Sequence, residues 1–293
     1  MNVLVLGSTG MLGQAVMEEL ALREMNPIGV ARGTEIAFDA LSEPFESLAD
    51  RVSLASGDYV VNCIGWIPQK ATHEVTVDEE HAVRLNVDLI EELDSYSQSR
   101  NVNWIQIGTD CIFDGAAGNY HEDSSPTPND LYGQTKLAGE QFVDSAIFLR
   151  CSIVGSDEAS QSGLYEWFKS RLASHEEIHG YTNHLWNGVT TLAFARLTAG
   201  LIQMRWTEAL KLHWIPEGGI TKADLLRLFC KYEGVNSKEI VATQAPRSVN
   251  RILLTNQQEL NAKLWSVAGY KQAPSIEELI REMVEHESRK RNG

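Results

Sequence analysis

The chain has 293 residues, 43% of them hydrophobic, enough for a large core and two interlocked lobes. Asp and Glu number 40 against 25 Lys and Arg, a net charge of −15. That balance argues against a nucleic-acid or anionic-membrane binder, whose footprint is basic, and leaves open a local basic pocket for an anionic small molecule.

Asn2-Val3-Leu4-Val5-Leu6 is a short, almost wholly apolar run, the pattern of a buried parallel strand. Gly7-Ser8-Thr9-Gly10-Met11-Leu12-Gly13 follows directly, and Gln14 to Arg23 reads as helix. Such glycines allow a tight turn, close approach of backbone to a pyrophosphate and close helix–strand packing, while the helix amino terminus offers free N–H groups to phosphate. A second strand, residues 27–31, ends at Arg32. An arginine at that point accommodates a 2′-phosphate, so NADP is expected over NAD. Asp39 is a candidate for the adenine edge. Residues 58–64 form a third strand, placing Cys63, Ile64 and Gly65 at its carboxyl end, and 77–100 read as one long helix holding Asn86. Further strands are expected at 103–107 and 146–150. This alternation calls for a Rossmann-type, doubly wound parallel sheet, an α/β fold with helices on both faces.

Beyond Cys151 the pattern loosens. Helices are expected at 164–173, 190–204, 221–233 and 275–290, with short strands near 212–215 and 240–243. Arg289-Lys290-Arg291-Asn292-Gly293 reads as a frayed charged tail. The expected division is a cofactor domain over 1–155, rejoined by 182–205, and a smaller mixed α/β substrate lobe over 156–181 and 206–293. No uninterrupted apolar run reaches membrane-spanning length and no secretory leader is visible, so no membrane is expected. Cys63, Cys111, Cys151 and Cys230 lack Cys-x-x-Cys spacing and read as reduced thiols of a cytoplasmic protein. No metal-ligand spacing is found, and no metal is expected. The subunit composition is not encoded in these patterns, and a homodimer is allowed.

Tyr132-Gly133-Gln134-Thr135-Lys136 sets a phenol and an ammonium one helical turn apart, on one face. A free tyrosine titrates near about 10, and a nearby cation would bring it toward the range useful for acid–base work. Ligands of such sheets bind at the carboxyl ends of the strands. Thr109, Asp110 and Cys111 lie at one such end, where Thr109 presents a hydroxyl.

The set Gly7-x-x-Gly10-x-x-Gly13, Thr109-Asp110-Cys111-Ile112-Phe113-Asp114-Gly115 and Tyr132-Gly133-x-x-Lys136-x-x-Gly139-Glu140 resembles the extended short-chain dehydrogenase/reductases. Within them it is most similar to the dTDP-4-dehydrorhamnose reductase family, densely over 1–155 and again around Asn183–Thr190. That resemblance implies an NADPH-dependent reductase of a 4-keto group on a nucleotide-linked deoxy sugar, serving surface-polysaccharide precursor synthesis. Thr109 would orient the substrate carbonyl and Tyr132 would protonate its oxygen. Lys136 would hold the nicotinamide ribose and depress the Tyr132 pKa. At an effective dielectric of about 20, a charge ~4 Å away contributes on the order of 4 kcal/mol before desolvation. Trp186 is a candidate to stack on sugar or nicotinamide, and His184 to bond a hydroxyl. Lys169, Arg171, Arg247 and Arg251 are available for the pyrophosphate.

The chain departs from the family where Cys111 replaces a usual Tyr and where Ile153-Val154-Gly155 lacks a usual Trp. It departs again at Asn187-Gly188-Val189-Thr190 and at Trp66-Ile67-Pro68-Gln69-Lys70, so a remodelled sugar pocket is expected. Two alternatives stay open: a nucleotide-sugar epimerase with tightly bound NAD, and a non-catalytic NADP-binding regulatory subunit.

Overall fold

A computed structural model describes residues 1–72, 74–157 and 161–292. Five strands follow the expected order: β1 (Val3–Leu6), β2 (Ile28–Val30), β3 (Tyr59–Asn62), β4 (Asn103–Ile107) and β5 (Ile147–Arg150). A sixth strand, Leu210–His213, completes a parallel sheet in the order Leu210–His213, β5, β4, β3, β1, β2. The expected division after residue 205 therefore runs just ahead of a strand of the main sheet. The order reverses between β3 and β1, and a crevice opens there beyond the strand ends.

Each central strand is apolar on both sides because helices cover both faces. Val3, Val5, Val61, Ile105 and Leu149 pack under α1 (Met11–Leu22) and the helix Thr191–Gln203. Leu4, Leu6, Val60, Trp104 and Phe148 pack under α2 (Phe45–Arg51) and the long helical stretch, through Phe45, Leu48, Leu89 and Leu93. The short helix α2 has no counterpart among the expected elements, since seven residues are too few for a periodic signal.

That stretch, expected as one helix over 77–100, runs as α3 (Val75–Val83), a single π turn (Arg84–Asp88) and α4 (Leu89–Arg100), closed by Asn101 in a left-handed conformation. A π turn inserts one residue into a helix, and such bulges gather at functional sites. Here it carries Asn86. The catalytic candidates Tyr132 and Lys136 stand on α5 (Leu131–Glu140).

The carboxyl-terminal lobe has its own core of Tyr165, Phe168, Trp186, Phe229, Ile280 and Val284. Its helices at Leu164–Ala173 and Lys222–Glu233 and its strand at Ile240–Thr243 stand at or within one residue of expectation. The supposed frayed tail is instead part of the helix Ile276–Asn292. Arg291 pairs with Glu233 at 3.0 Å and Lys290 with Glu18 at 2.6 Å, so two acids on other helices hold it. Gly293 lies outside the described residues.

Candidate active site

The glycine turn makes the floor of the first cavity. Gly7 has φ +71°, a conformation that favours glycine, and its carbonyl accepts from Gly10 N at 3.0 Å. A side chain at Gly13 would put its Cβ 2.1 Å from the Gly7 carbonyl oxygen, so only glycine lets α1 approach β1 this closely. Gly10 caps α1 with no side-chain hydrogen bond, and no acid occupies the first turn. The helix end therefore presents uncapped N–H groups and partial positive charge, which suits a phosphate.

A cavity of about 590 Å³ lies over this turn, bounded by Gly7, Thr9, Gly10, Arg32, Asp39, Cys63, Ile64, Gly65 and Trp66. Arg32 is exposed and has no ion-pair partner among the described residues. Asp39 accepts from Leu41 N at 3.3 Å. Among the described residues the buried Trp66 indole N–H has no partner, a donor beside a space that a polar ligand would fill. These features fit a dinucleotide.

A second cavity, about 420 Å³, shares Gly10, Cys63, Ile64 and Gly65 with the first and adds Met11, Leu12, Thr109, Asp110, Cys111, Tyr132, Lys136 and Ser152. Thr109 begins the 3₁₀ turn Asp110–Ile112, its hydroxyl accepting from Cys111 N at 3.1 Å. Asp130 caps α5 by accepting from Gly133 N at 2.7 Å, and so orients the first turn that carries Tyr132. A Cβ at Gly133 would stand 2.3 Å from the Cys111 carbonyl oxygen. The glycine beside Tyr132 thus allows α5 to lie against the Thr109 turn.

Asn86 ties the two cavities together. Its Oδ1 accepts from Trp66 N at 3.0 Å, and its Nδ2 donates to Trp66 O at 3.2 Å and to Thr135 Oγ1 at 3.0 Å. Thr135 lies on α5 between Tyr132 and Lys136. A Cβ at Gly139 would meet Asn86 O at 1.8 Å, so α5 rests directly on the π turn.

Burial pushes the Tyr132 phenol up, the buried thiol of Cys111 adding to the shift and the Thr109 hydroxyl opposing it. The net shift is upward, against the depression expected from Lys136. Lys136 donates instead to Ile107 O at 3.2 Å, and burial lowers it to about 8. Tyr132 is therefore a neutral proton donor at physiological pH, and Lys136 still mostly an ammonium. Burial also pushes the Cys63 and Cys111 thiols to about 12 and raises Cys151, so these cavity-lining cysteines are protonated and poor nucleophiles.

Trp186 and His184 are not in either cavity. Trp186 is buried in the lobe core and donates from Nε1 to Ser152 Oγ at 2.8 Å. His184 Nε2 bonds Arg247 O at 3.1 Å beside the Tyr181 ring. Aromatic bulk at Trp186 serves packing, and only its neighbour Ser152 reaches the cavity. Of the candidate cations, Lys169 pairs with Glu166, Arg171 with Glu176 and Arg247 with Asp114. Among the described residues Arg251 has no carboxylate within ion-pair distance; it donates to Phe113 O at 3.0 Å and Cys111 Sγ at 3.2 Å. Sequence reasoning missed Ser152 and the cap Asp130. Only Asp130 left a signal, a capping residue just ahead of a helix.

A doubly wound sheet with this glycine turn, and with Thr109, Tyr132 and Lys136 on one cavity, defines an extended short-chain dehydrogenase/reductase. The family described as RmlD substrate binding domain matches residues 1–289, and the chain belongs to it. It is 25% identical to the "Probable low-salt glycan biosynthesis reductase Agl14" of Haloferax volcanii over 252 residues, 80% of this chain and 81% of that one. The cattle (Bos taurus) "Methionine adenosyltransferase 2 subunit beta" is 32% identical over 151 residues, 48% of this chain and 42% of that protein. Among solved structures, the dTDP-4-dehydrorhamnose reductase of Bacillus anthracis in complex with NADP superposes with a TM-score of 0.77 at 20% identity, covering 97% of this chain and 99% of that one. The Clostridium acetobutylicum counterpart gives 0.74 at 18%, covering 98% and 100%. These two likenesses establish the fold.

Proposed function

We propose that the protein is an NADPH-dependent reductase of the 4-keto group of a nucleotide-linked sugar, acting in the synthesis of polysaccharide precursors. The observation that carries this reading is the convergence of Thr109, Tyr132 and Lys136 on one cavity contiguous with the glycine turn. The glycan reductase and the NADP-bound dehydrorhamnose reductase among its relatives support it. The deoxy character of the sugar rests on the family alone.

NADPH, when bound, supplies the hydride to the carbonyl carbon. Gly7, Gly10 and Gly13 leave room for the pyrophosphate against the α1 amino terminus, and Arg32 meets the 2′-phosphate. Thr109 holds the carbonyl oxygen. Tyr132 gives that oxygen its phenolic proton, so that hydride and proton together complete an alcohol. A raised phenol pKa keeps the donor loaded at neutral pH and makes the resulting phenolate quick to take a proton back from water. Lys136, still charged below about 8, holds the ribose side of the site.

Among the described residues no helix is long and apolar enough to cross a membrane. A cytoplasmic setting, with NADPH and reduced thiols, suits this reading. The regulatory alternative needs no proton donor, and the likeness to the adenosyltransferase subunit spans under half of that protein. The test is to give the purified protein NADPH or NADH with a panel of nucleotide-linked 4-keto sugars and follow the absorbance of reduced nicotinamide. Oxidation of NADPH with one sugar is expected. Firm NADPH binding with no turnover on any sugar would contradict the reading and favour the regulator.

A further inference from the structure

Asp110, Asp130 and Asp157 give the substrate-side cavity a lining rich in hydrogen-bond acceptors. Free hydroxyl protons are scarce there. Of the four hydroxyl residues among the described lining, Ser162 donates to Asp157 Oδ2 at 2.9 Å, and Thr109 and Tyr132 are engaged by the carbonyl oxygen in the reading above. Ser152 is the fourth. Its Oγ accepts from the Trp186 indole N–H at 2.8 Å, and among the described residues its own proton has no acceptor. An indole nitrogen can only donate, so this contact takes a serine lone pair and leaves the O–H free to turn to the cavity. The donor is firmly placed: Trp186 is 3% exposed, and Ser152 O accepts from Val189 N at 2.8 Å. A Cβ at Gly188 would stand 2.4 Å from Ser152 O and 2.4 Å from the Trp186 ring, so the chain closes around this pair only with glycine there.

Within the keto-sugar reading, on which this inference rests, we infer that Ser152 donates to the hydroxyl oxygen on C3, the carbon beside the reacting carbonyl, and that Trp186 aims it. Thr109 stands two residues beyond β4 and Ser152 two beyond β5, and these neighbouring strands pair Ile107 with Leu149. Adjacent strands lie about 4.8 Å apart, so the two hydroxyls suit oxygens on adjacent ring carbons. With the C4 oxygen at Thr109 and Tyr132, the neighbouring exocyclic oxygen sits on C3, because C5 carries the ring oxygen and C6, a methyl group in a 6-deoxy sugar. The C3 hydroxyl can in turn give its own proton to a carboxylate of the lining. Anchors on C3 and C4 fix the rotation of the ring in the site, which presents one face of the carbonyl to the hydride.

Matched ligands test this without turnover. Binding of thymidine- and uridine-diphosphate 6-deoxyglucose, and of their 3-deoxy counterparts, is measured calorimetrically on the NADP-bound protein. With at least one nucleotide the 3-hydroxy ligand should bind about tenfold tighter than the 3-deoxy one. Ser152→Ala should cut that ratio by about threefold or more, leaving NADP and 3-deoxy-ligand affinity unchanged. Trp186→Phe, which keeps an aromatic ring but removes the N–H, should cut it in the same direction, again with the 3-deoxy ligand unaffected. An unchanged ratio in either variant, equal affinities of the two ligands for the wild type, or no binding of either, would overturn the inference. So would a Ser152→Ala loss shared equally by both ligands, which would make the serine structural. Failure of the keto-reductase reading itself appears separately, as absence of NADPH oxidation in the panel assay.

Discussion

The two cavities are built from different materials. The cofactor side is made mostly of backbone: a glycine turn, a helix amino terminus and strand ends, contributed by Gly7–Gly13, Arg32 and Cys63–Gly65. The substrate side is made of side chains that meet only in three dimensions: Thr109 and Cys111 from one turn, Tyr132 and Lys136 from α5, and Ser152 after β5. Backbone sites demand particular residues at fixed short spacing, and so leave a mark in sequence. Side chains that meet from a turn after β4, from α5 and from the segment after β5 leave almost none.

If the cofactor floor depends on backbone approach, the smallest added side chain should damage it. Gly13→Ala would force a methyl group to 2.1 Å from Gly7 O, 2.8 Å from Gly7 C and 2.8 Å from Ser8 Cα, all main-chain atoms. We expect a stability loss on the order of 3 kcal/mol in denaturant melts together with weakened NADPH binding. Wild-type stability with intact binding would break the contrast.

The side-chain scaffold should in turn be sensitive to pH. His213 is fully buried, accepting from Arg150 Nη1 at 2.6 Å and donating from Nδ1 to Leu254 O at 2.7 Å, while Arg150 pairs with Glu140 on α5. Burial, with Arg150 beside it, lowers His213 from 6.5 to about 4. Between those values the unfolded chain binds a proton that the folded one refuses, so stability falls as pH falls from 6.5 toward 4. This group alone would account for about 3 kcal/mol over that window. Melts of the wild type and of His213→Gln across it should converge toward low pH; parallel curves would remove His213 as the cause.

Asn86 bridges the two regions, so its loss should register in both. Asn86→Ala leaves Trp66 N and Trp66 O without their buried partner and removes a donor to Thr135, costing roughly 1–3 kcal/mol. The expected signature is a lower kcat together with poorer NADPH binding; an effect on one alone would show that the two cavities act independently. The smallest change belongs to an exposed contact. Arg32→Ala should weaken NADPH roughly tenfold and leave NADH unchanged, since only the former carries the 2′-phosphate. Equal loss for both would assign Arg32 to something else.

The same contrast explains how much was legible beforehand. The strands at 3–6 and 103–107 and the helix at 164–173 follow from apolar runs and periodicity. The π turn was invisible because one inserted residue barely disturbs a helical pattern. The tail was misread because its partners, Glu18 and Glu233, are remote in sequence. Trp186 was misassigned because an indole that stacks on a ligand and one that fills a core have the same letter. The depression of the Tyr132 phenol expected from Lys136 does not outweigh burial, and the ammonium donates to the Ile107 carbonyl.

The central claim, that Tyr132 is the proton donor of a reductase, is tested most directly by Tyr132→Phe. The kcat for the keto sugar and the Kd for NADPH are measured side by side with the wild type. A fall in kcat of ~10²–10⁴-fold with NADPH affinity unchanged is the predicted result. Full turnover by the phenylalanine variant would contradict the account.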